Sequence, residues 1–421
     1  MAKAREETTR ILSPDVRLLF LTRILRMIAY GSSALILGLY LAAVGLDEWH
    51  IGLLITMTLV GDAVISLWIT MVADRIGRKR MLLAGALLMT LGGAVFAGTT
   101  SFVPLLLGAT IGVISPSGNE VGPFLAIEQA ALAQNISGDA RTRVFAWYHL
   151  AGSLATAAGA LLCGQVVAFR EKRGIQTITG YRDIFIGYAA LGLLLAILFL
   201  RLSPASEVGP QDTAPRPAGR LFMGLHRSRR IVLRLSALFA LDAFAGGLIP
   251  QSLMVLWFKF RFDADVATLG LIFSAANTLA GFSALAAAAL ARRFGLINTM
   301  VFSHVPSNVL LLLVPLMPTL PLAAAVLLVR FAISQMDVPA RQAYTVAVVD
   351  PDERSAANGV TGVARSIGAS LSPVLAGFLL ASQFLAGGGI FVVSGALKIF
   401  YDGLLYRLFR HTRPPEEMPL S

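Results

Sequence analysis

Apolar and polar residues do not alternate along this chain. Apolar residues come in long uncharged runs, such as 82–99, 184–200 and 269–291, separated by short polar stretches. A further run, 373–397, is read as crossing a short uncharged turn and belonging to two segments. Runs of ~18 or more apolar residues are long enough to cross a bilayer as helix. In hydrocarbon every backbone N–H and C=O must be satisfied within the segment, which makes helix the natural conformation. A membrane barrel needs alternating segments of about 10 residues, and the chain has no such pattern.

The pattern predicts helices over 16–45, 51–73, 80–100, 103–134, 143–169 and 183–201. A second set is expected over 232–258, 268–291, 296–318, 320–348, 355–384 and 387–409. Between the sets lies a polar stretch with Pro204, Pro210, Pro215 and Pro217, ending in the basic run His226-Arg227-Ser228-Arg229-Arg230. The expected fold class is therefore an all-α membrane protein of 12 transmembrane helices in two six-helix bundles. Residues 1–202 form the first bundle, 203–231 a cytoplasmic linker, and 232–421 the second bundle.

Composition sharpens this picture. Of 421 residues, 56% are hydrophobic and 14% charged, well below the ~25% charged residues of soluble domains. The single cysteine, Cys163, cannot close an intramolecular disulfide and reads as a small packing residue. The net charge of +11 lies between apolar runs, so it reports membrane topology rather than a nucleic-acid partner. Lys3, Arg5 and Arg10 precede the first helix, Arg75, Arg78, Lys79 and Arg80 follow the second, and Arg407, Arg410 and Arg413 follow the last. By the positive-inside rule both termini and the linker are cytoplasmic, in a multi-pass protein of the inner or plasma membrane. The fifth connection, with Arg170, Lys172, Arg173 and Arg182, breaks this rule. The first apolar segment, 16–44, is too long for a signal-peptide core and reads as a membrane helix.

The two halves repeat. A shift of 218 residues lays Ile51-Gly52-Leu53 on Leu269-Gly270-Leu271, Arg75 on Arg293 and Gly77 on Gly295. A shift of 213 lays Gln129-Ala130 on Gln342-Ala343, Arg141 on Arg354 and Gly164 on Gly377. Nearly constant offsets across different helices imply pseudo-symmetry about the membrane normal. Such repeats hold a solute site between them near the midplane.

The connection between the second and third helices reads Thr70-Met-Val-Ala-Asp74-Arg75-Ile-Gly77-Arg78-Lys79-Arg80. It resembles the signature loop of the major facilitator superfamily, Gly-x-x-x-Asp-Arg-x-Gly-Arg-Arg/Lys, and departs from it at Thr70, where the family has Gly. A second copy, Ala291-Arg292-Arg293-Phe294-Gly295, lacks the acid. The resemblance implies that the loop latches one facing state, with Asp74, Arg75, Gly77, Arg78 and Lys79 as gating residues. Glu128 and its repeat partner Arg341 join that group, Glu128 as a partner for Arg75 or Arg78.

Ionisable residues inside spans cost ~2.5–3.5 kcal/mol on insertion scales and mark function by default. The first helix carries Arg23, Arg26 and Tyr30 on one face, the second Asp62, and the seventh Asp242. The tenth carries a stripe of Arg330, Ser334, Asp337 and Arg341, and the eleventh carries Asn358, Thr361 and Arg365. The fourth is interrupted by Ser115-Pro116-Ser117-Gly118-Asn119-Glu120-Val121-Gly122-Pro123, a break tolerated only where it lines protein or water. The expected pathway residues are Arg23, Arg26, Tyr30, Asp62, Asn119, Glu120, Asp242, Arg330, Asp337 and Arg365. Arg26 is also placed to neutralise Asp62. His149 and His304 read as ordinary helix residues satisfied by a neighbour.

These features point to secondary active transport of a small polar or anionic solute by alternating access, coupled to protons, with Glu120 and Asp62 as the leading proton switches. The expected partners are a small-molecule substrate, a coupling proton and the lipid bilayer, around a monomer without cofactor or metal. A multidrug–proton antiporter is the alternative on the same fold; Gly152 to Gly159 lacks the proline common in that group. A receptor that binds without transporting is the rival of a different class. No nucleotide loop, metal cluster or catalytic triad in context points to an enzyme.

Overall fold

A computed structural model of the chain describes residues 13–135, 138–207, 225–350, 353–384 and 387–412. Among these residues eleven helices are long and apolar enough to cross a membrane. A shorter apolar helix, Phe102–Ile111, completes a set of twelve spans together with the helix that follows it.

The chain divides into two compact units. The first comprises residues 1–214 with 251–259 and 263–277, and the second comprises 215–250, 260–262 and 278–421. In the first unit the helices are α1 (Pro14–Ala43), α2 (Glu48–Ile76), α3 (Arg78–Gly98), α4 (Phe102–Ile111), α5 (Phe124–Asn135), α6 (Gly138–Lys172) and α7 (Thr177–Phe199). Local chemistry fixes their ends. Ser13 caps α1 by accepting the Val16 N–H, Pro14 follows at the first helical positions, and Asp47 caps α2 from its side chain. Gly77 turns the chain from α2 into α3 at φ +112°, a conformation closed to most side chains.

α1 and α6 approach closely because both present glycine. A methyl built on Gly31 would lie 2.1 Å from the Thr156 carbonyl oxygen, and one on Gly159 would lie 2.1 Å from that of Ile28. Small residues allow such backbone contact within a membrane. Tyr40, Phe96 and Phe185 fill the far end of the unit, with ring centroids 4.9–6.0 Å apart.

The chain continues as α8 (Arg229–Gly247), α9 (Gln251–Phe262), α10 (Val266–Phe294), α11 (Leu296–Leu313), α12 (Leu320–Ile333), α13 (Asp337–Ala347), α14 (Arg354–Leu371), α15 (Pro373–Ala381) and α16 (Gly389–Phe409). α8 packs on α14 by the device seen in the first unit: a methyl on Gly368 would meet the Ala240 carbonyl oxygen at 2.2 Å. Leu235, Phe239, Met300, Tyr344, Tyr401 and Leu405 form a core of the second unit.

Three expected spans are interrupted as well as the fourth. The seventh breaks between α8 and α9, the tenth between α12 and α13, and the eleventh between α14 and α15. The supposed continuous stripe of the tenth is therefore divided, with Arg330 in the last turn of α12 and Asp337 opening α13. Outward-facing apolar side chains such as Trp68, Trp147 and Phe302, each more than half exposed, suit a surface covered by acyl chains.

The basic fifth connection also has a physical account. Arg170 pairs with Asp183, and Arg182 donates to the Ala97 carbonyl at 2.6 Å, at the C-terminal end of α3. These arginines are held by a carboxylate and a helix end.

Candidate functional site

Two charge clusters lie inside the described helices, one in each unit. In the first unit, α1 supplies Arg23 and Arg26 three residues apart, hence on one face. They meet two glutamates, Glu120 from within the α4–α5 break and Glu128 from α5. Glu120 accepts from Arg23 at 2.6 Å and from Arg26 at 2.7 Å. Glu128 accepts two bonds from Arg26, at 2.9 and 2.6 Å, and further bonds from Thr22 and Tyr148. Arg23 also donates to the Tyr148 carbonyl at 2.8 Å and lies over that ring, while Arg26 lies over Phe124. Arg26 and Glu128 are fully buried.

The break itself, residues 112–123, is stitched to its neighbours. Tyr30 donates to Val121 O, Ser33 to Ser115 O, Thr156 to Gly118 O and Tyr188 to Val113 O. Asp62 accepts the Gly122 N–H and the Ser66 hydroxyl. Gly118 and Gly122 both have positive φ, which is why the break is glycine-rich. The Asn119 carbonyl accepts from Ser115. The free backbone groups that an interrupted helix offers are thus largely taken by side chains.

These contacts revise two expectations. Glu128 pairs with Arg26 rather than with Arg78. The backbone amides of Arg78 and Lys79 instead donate to Glu207, at 2.7 and 3.1 Å, and the Lys79 ammonium reaches the Leu200 and Leu202 carbonyls. The carboxylate suits a helix N-terminus and the ammonium a helix C-terminus. The side chains of Asp74 and Arg75 lie outside those described. Arg26 does not meet Asp62 either, because two glutamates already occupy its guanidinium.

In the second unit Asp242 of α8 is a hub. Lys398 of α16 donates to Oδ1 at 2.8 Å; Arg341 of α13 and Arg365 of α14 donate to Oδ2 at 3.0 and 3.1 Å. Arg341 also holds Asp337 at 3.2 Å, one turn away on its own helix. It is thus part of this cluster rather than a mirror of a loop-side glutamate. His304 of α11 binds Asp402 through Nδ1 at 2.8 Å, and its Nε2 lies 3.9 Å from Asp242 Oδ1. Asn308 donates to the other oxygen of Asp402 at 3.0 Å. Asp242, Asp402, Lys398 and Arg341 are all buried, whereas the Arg365 side chain is 34% exposed. Arg330 is buried, makes no ion pair among the described residues, and has an unpartnered Nε.

Of the pathway residues expected from sequence, the structure brings Arg23, Arg26 and Glu120 together. Asp242, Asp337 and Arg365 form the second group. Tyr30, Asp62 and Asn119 hold the break, and Arg330 stands apart. Sequence reasoning missed Lys398, Asp402 and Asn308 and read His304 as ordinary. The signal was present: Lys398 and Asp402 stand one helical turn apart inside an apolar run.

Comparison with known proteins bears on this geometry. A family model, the Major Facilitator Superfamily, matches residues 19–336 and 253–421. An uncharacterized membrane protein of Saccharomyces cerevisiae, YJR124C, is 29% identical over 424 residues, covering 94% of each chain. The solved structure of the nucleoside transporter NupG superposes with a TM-score of 0.72 at 16% identity, covering 94% of this chain and 98% of that one. The D-xylose–proton symporter superposes at 0.73 with 15% identity, covering 96% and 98%. At these identities the likeness to the two structures is one of fold.

Proposed function

The chain belongs to the major facilitator superfamily, and from that premise we propose that it carries a small anionic or polar solute across the membrane, coupled to protons. The movement is alternating access between the halves 1–202 and 232–421, in an inner or plasma membrane with both termini cytoplasmic. The observation that carries the solute class is the hub at Asp242. Three cations converge on one carboxylate, and one of them, Arg365, is partly exposed. A solute anion has the chemistry to replace Asp242 on Arg365 and Arg341, since guanidinium groups bind carboxylate and phosphate alike.

Charge balance supports the coupling. The cluster holds Arg341, Arg365 and Lys398 against Asp242, Asp337 and Asp402, so with His304 neutral it is balanced. A solute anion entering it leaves one negative charge uncompensated inside the membrane, which is costly. A proton taken up with the anion restores the balance. Solute and proton then move in the same direction.

The test is reconstitution in proteoliposomes with an imposed pH gradient and a panel of small anions, neutral solutes and cations. An acidic outer face is expected to drive accumulation of an anion. Asp242→Asn leaves the cluster with one spare positive charge. That variant is expected to exchange the anion across the membrane while losing the dependence on pH. Movement confined to neutral or cationic solutes, or pH-dependent exchange unchanged in Asp242→Asn, would overturn the reading.

A further inference from the structure

Deepening the carrier reading above, and resting on it for the meaning of the proton, we infer that His304, held in place by Asp402, is the residue that binds the coupling proton. The geometry sets the roles. Asp402 Oδ1 lies 2.8 Å from His304 Nδ1, and its Oδ2 accepts from Asn308 Nδ2 at 3.0 Å. An ionised carboxylate only accepts, so with Asp402 ionised the His304 proton sits on Nδ1. Nε2 is then left with its lone pair, 3.9 Å from Asp242 Oδ1. A proton arriving there forms an N–H bond, and the neutral ring becomes imidazolium between two aspartates.

The surroundings favour this assignment over the other carboxylates. His304 lies against Asp402 and Tyr401 of α16 and 3.9 Å from Asp242 of α8; Lys398, Arg341 and Arg365 reach it through Asp242, and Asp337 through Arg341. Asp242 already has three cations, so as an anion it is compensated. Asp402 has two donors and no arginine or lysine within ion-pair distance among the described residues. Asp242 and Asp402 already hold donors at both oxygens, whereas His304 Nε2 has no hydrogen-bond partner among the described residues, and imidazole is the side chain suited to take up a proton near neutral pH. Its protonation turns a balanced cluster into one with a single positive excess.

The proton's path closes the logic. The 3.9 Å gap is too long for a hydrogen bond and too short to hold a bridging water. Asp242, on leaving the arginines, needs to move only about 1 Å to accept from Nε2–H. The imidazolium then replaces the cations that the solute has taken.

The test is an infrared titration of the purified full-length protein, labelled at its histidines, between about pH 5 and 9, with no solute present. The pH-dependent ring bands of one histidine are expected to vanish in His304→Gln. Asp402→Asn removes the charge that Nδ1 faces, and is expected to move the midpoint by at least about one pH unit. It also serves as the test if His304→Gln does not fold. A titration unchanged in His304→Gln, or a midpoint unmoved in Asp402→Asn, would overturn the assignment. Neither result depends on finding the solute. The assignment can therefore fail while transport stands, and transport can fail while the titration is as expected.

Discussion

The two charge clusters are built from similar parts and differ in how they are closed. In the first unit, two arginines share two glutamates, and every contact is sealed: Arg26 and Glu128 have no exposure, and Glu120 has 9%. In the second, three cations share Asp242, and Arg365 is 34% exposed. A sealed pair has no solvent to replace a lost partner, whereas a partly open one can exchange partners. The difference is the one expected between a structural knot and a site that passes an ion between groups. It also follows from where the residues sit. Arg26 lies about three turns inside α1, which packs on α6 at glycines, while Arg365 lies on α14 with its side chain partly exposed.

The largest expected effect tests the knot. Arg26→Ala leaves Glu128 and much of Glu120 without their guanidinium in a buried setting. Breaking a buried pair from one side costs about 3–5 kcal/mol. The variant is expected to lose its monodisperse peak in detergent size exclusion, or to unfold at a much lower temperature. A stable variant with normal transport would show that the first cluster is not structural. The second prediction reverses the outcome. Arg365→Gln removes a partly exposed charge from a hub that keeps Arg341 and Lys398, so the fold is expected to hold while anion transport falls at least about tenfold, or about 1.4 kcal/mol. Uptake measured alongside thermal stability separates the two effects.

How much of this contrast was legible in the sequence depends on the link examined. The spans and the break at 112–123 could be read from apolar runs and from prolines and glycines, because membrane helices must satisfy their own backbone. That Arg23, Arg26, Glu120, Asp242 and Arg365 face inward could be read from the cost of charge in lipid. Pairing could not. Glu128 falls late in the fourth expected span and Arg78 in the connection after the second, yet Glu128 pairs with Arg26 and the Arg78 amide is taken by Glu207. Those choices depend on helix rotation and crossing, which residue spacing does not carry. Lys398 and Asp402 went unread because they stand within a span whose neighbours are all apolar, where they look like interruptions until Asp242 and His304 are set beside them. The breaks in the tenth and eleventh spans lack the run of prolines and glycines that marks the fourth.

A smaller effect sharpens the comparison from the side of the proton. Besides Glu120 and Glu128 the first unit holds Asp62 within a span, which among the described residues meets only neutral donors, the Gly122 amide and the Ser66 hydroxyl. In Asp62→Asn the amide oxygen still accepts from both. Gradient-driven transport and its pH profile are therefore expected to change less than about threefold, a difference under 1 kcal/mol. A complete loss of pH dependence in this variant, with the fold intact, would move the coupling proton from the second unit to the first.

The most local effect concerns a helix end. Glu353 accepts from the backbone amides of His226, Arg227 and Ser228, with the Arg227 and Ser228 bonds at 2.9 and 2.8 Å, and so closes the N-terminus of α8, the helix that carries Asp242. Burial pushes the Glu353 carboxyl up, but the hydroxyl of Ser228 and the three amides together bring it down to about 2. A carboxyl whose folded value is lowered stabilises the fold above its unfolded value, about 4.3. That contribution is lost as pH falls from there through about 2. Glu353→Gln keeps one acceptor oxygen and loses the charge, with a cost near that of a missing helix cap, about 1 kcal/mol. Thermal unfolding in detergent is expected to show the variant below the parent at pH 7, with the gap closing as pH falls below about 4. A gap independent of pH would mean that Glu353 acts through packing rather than charge.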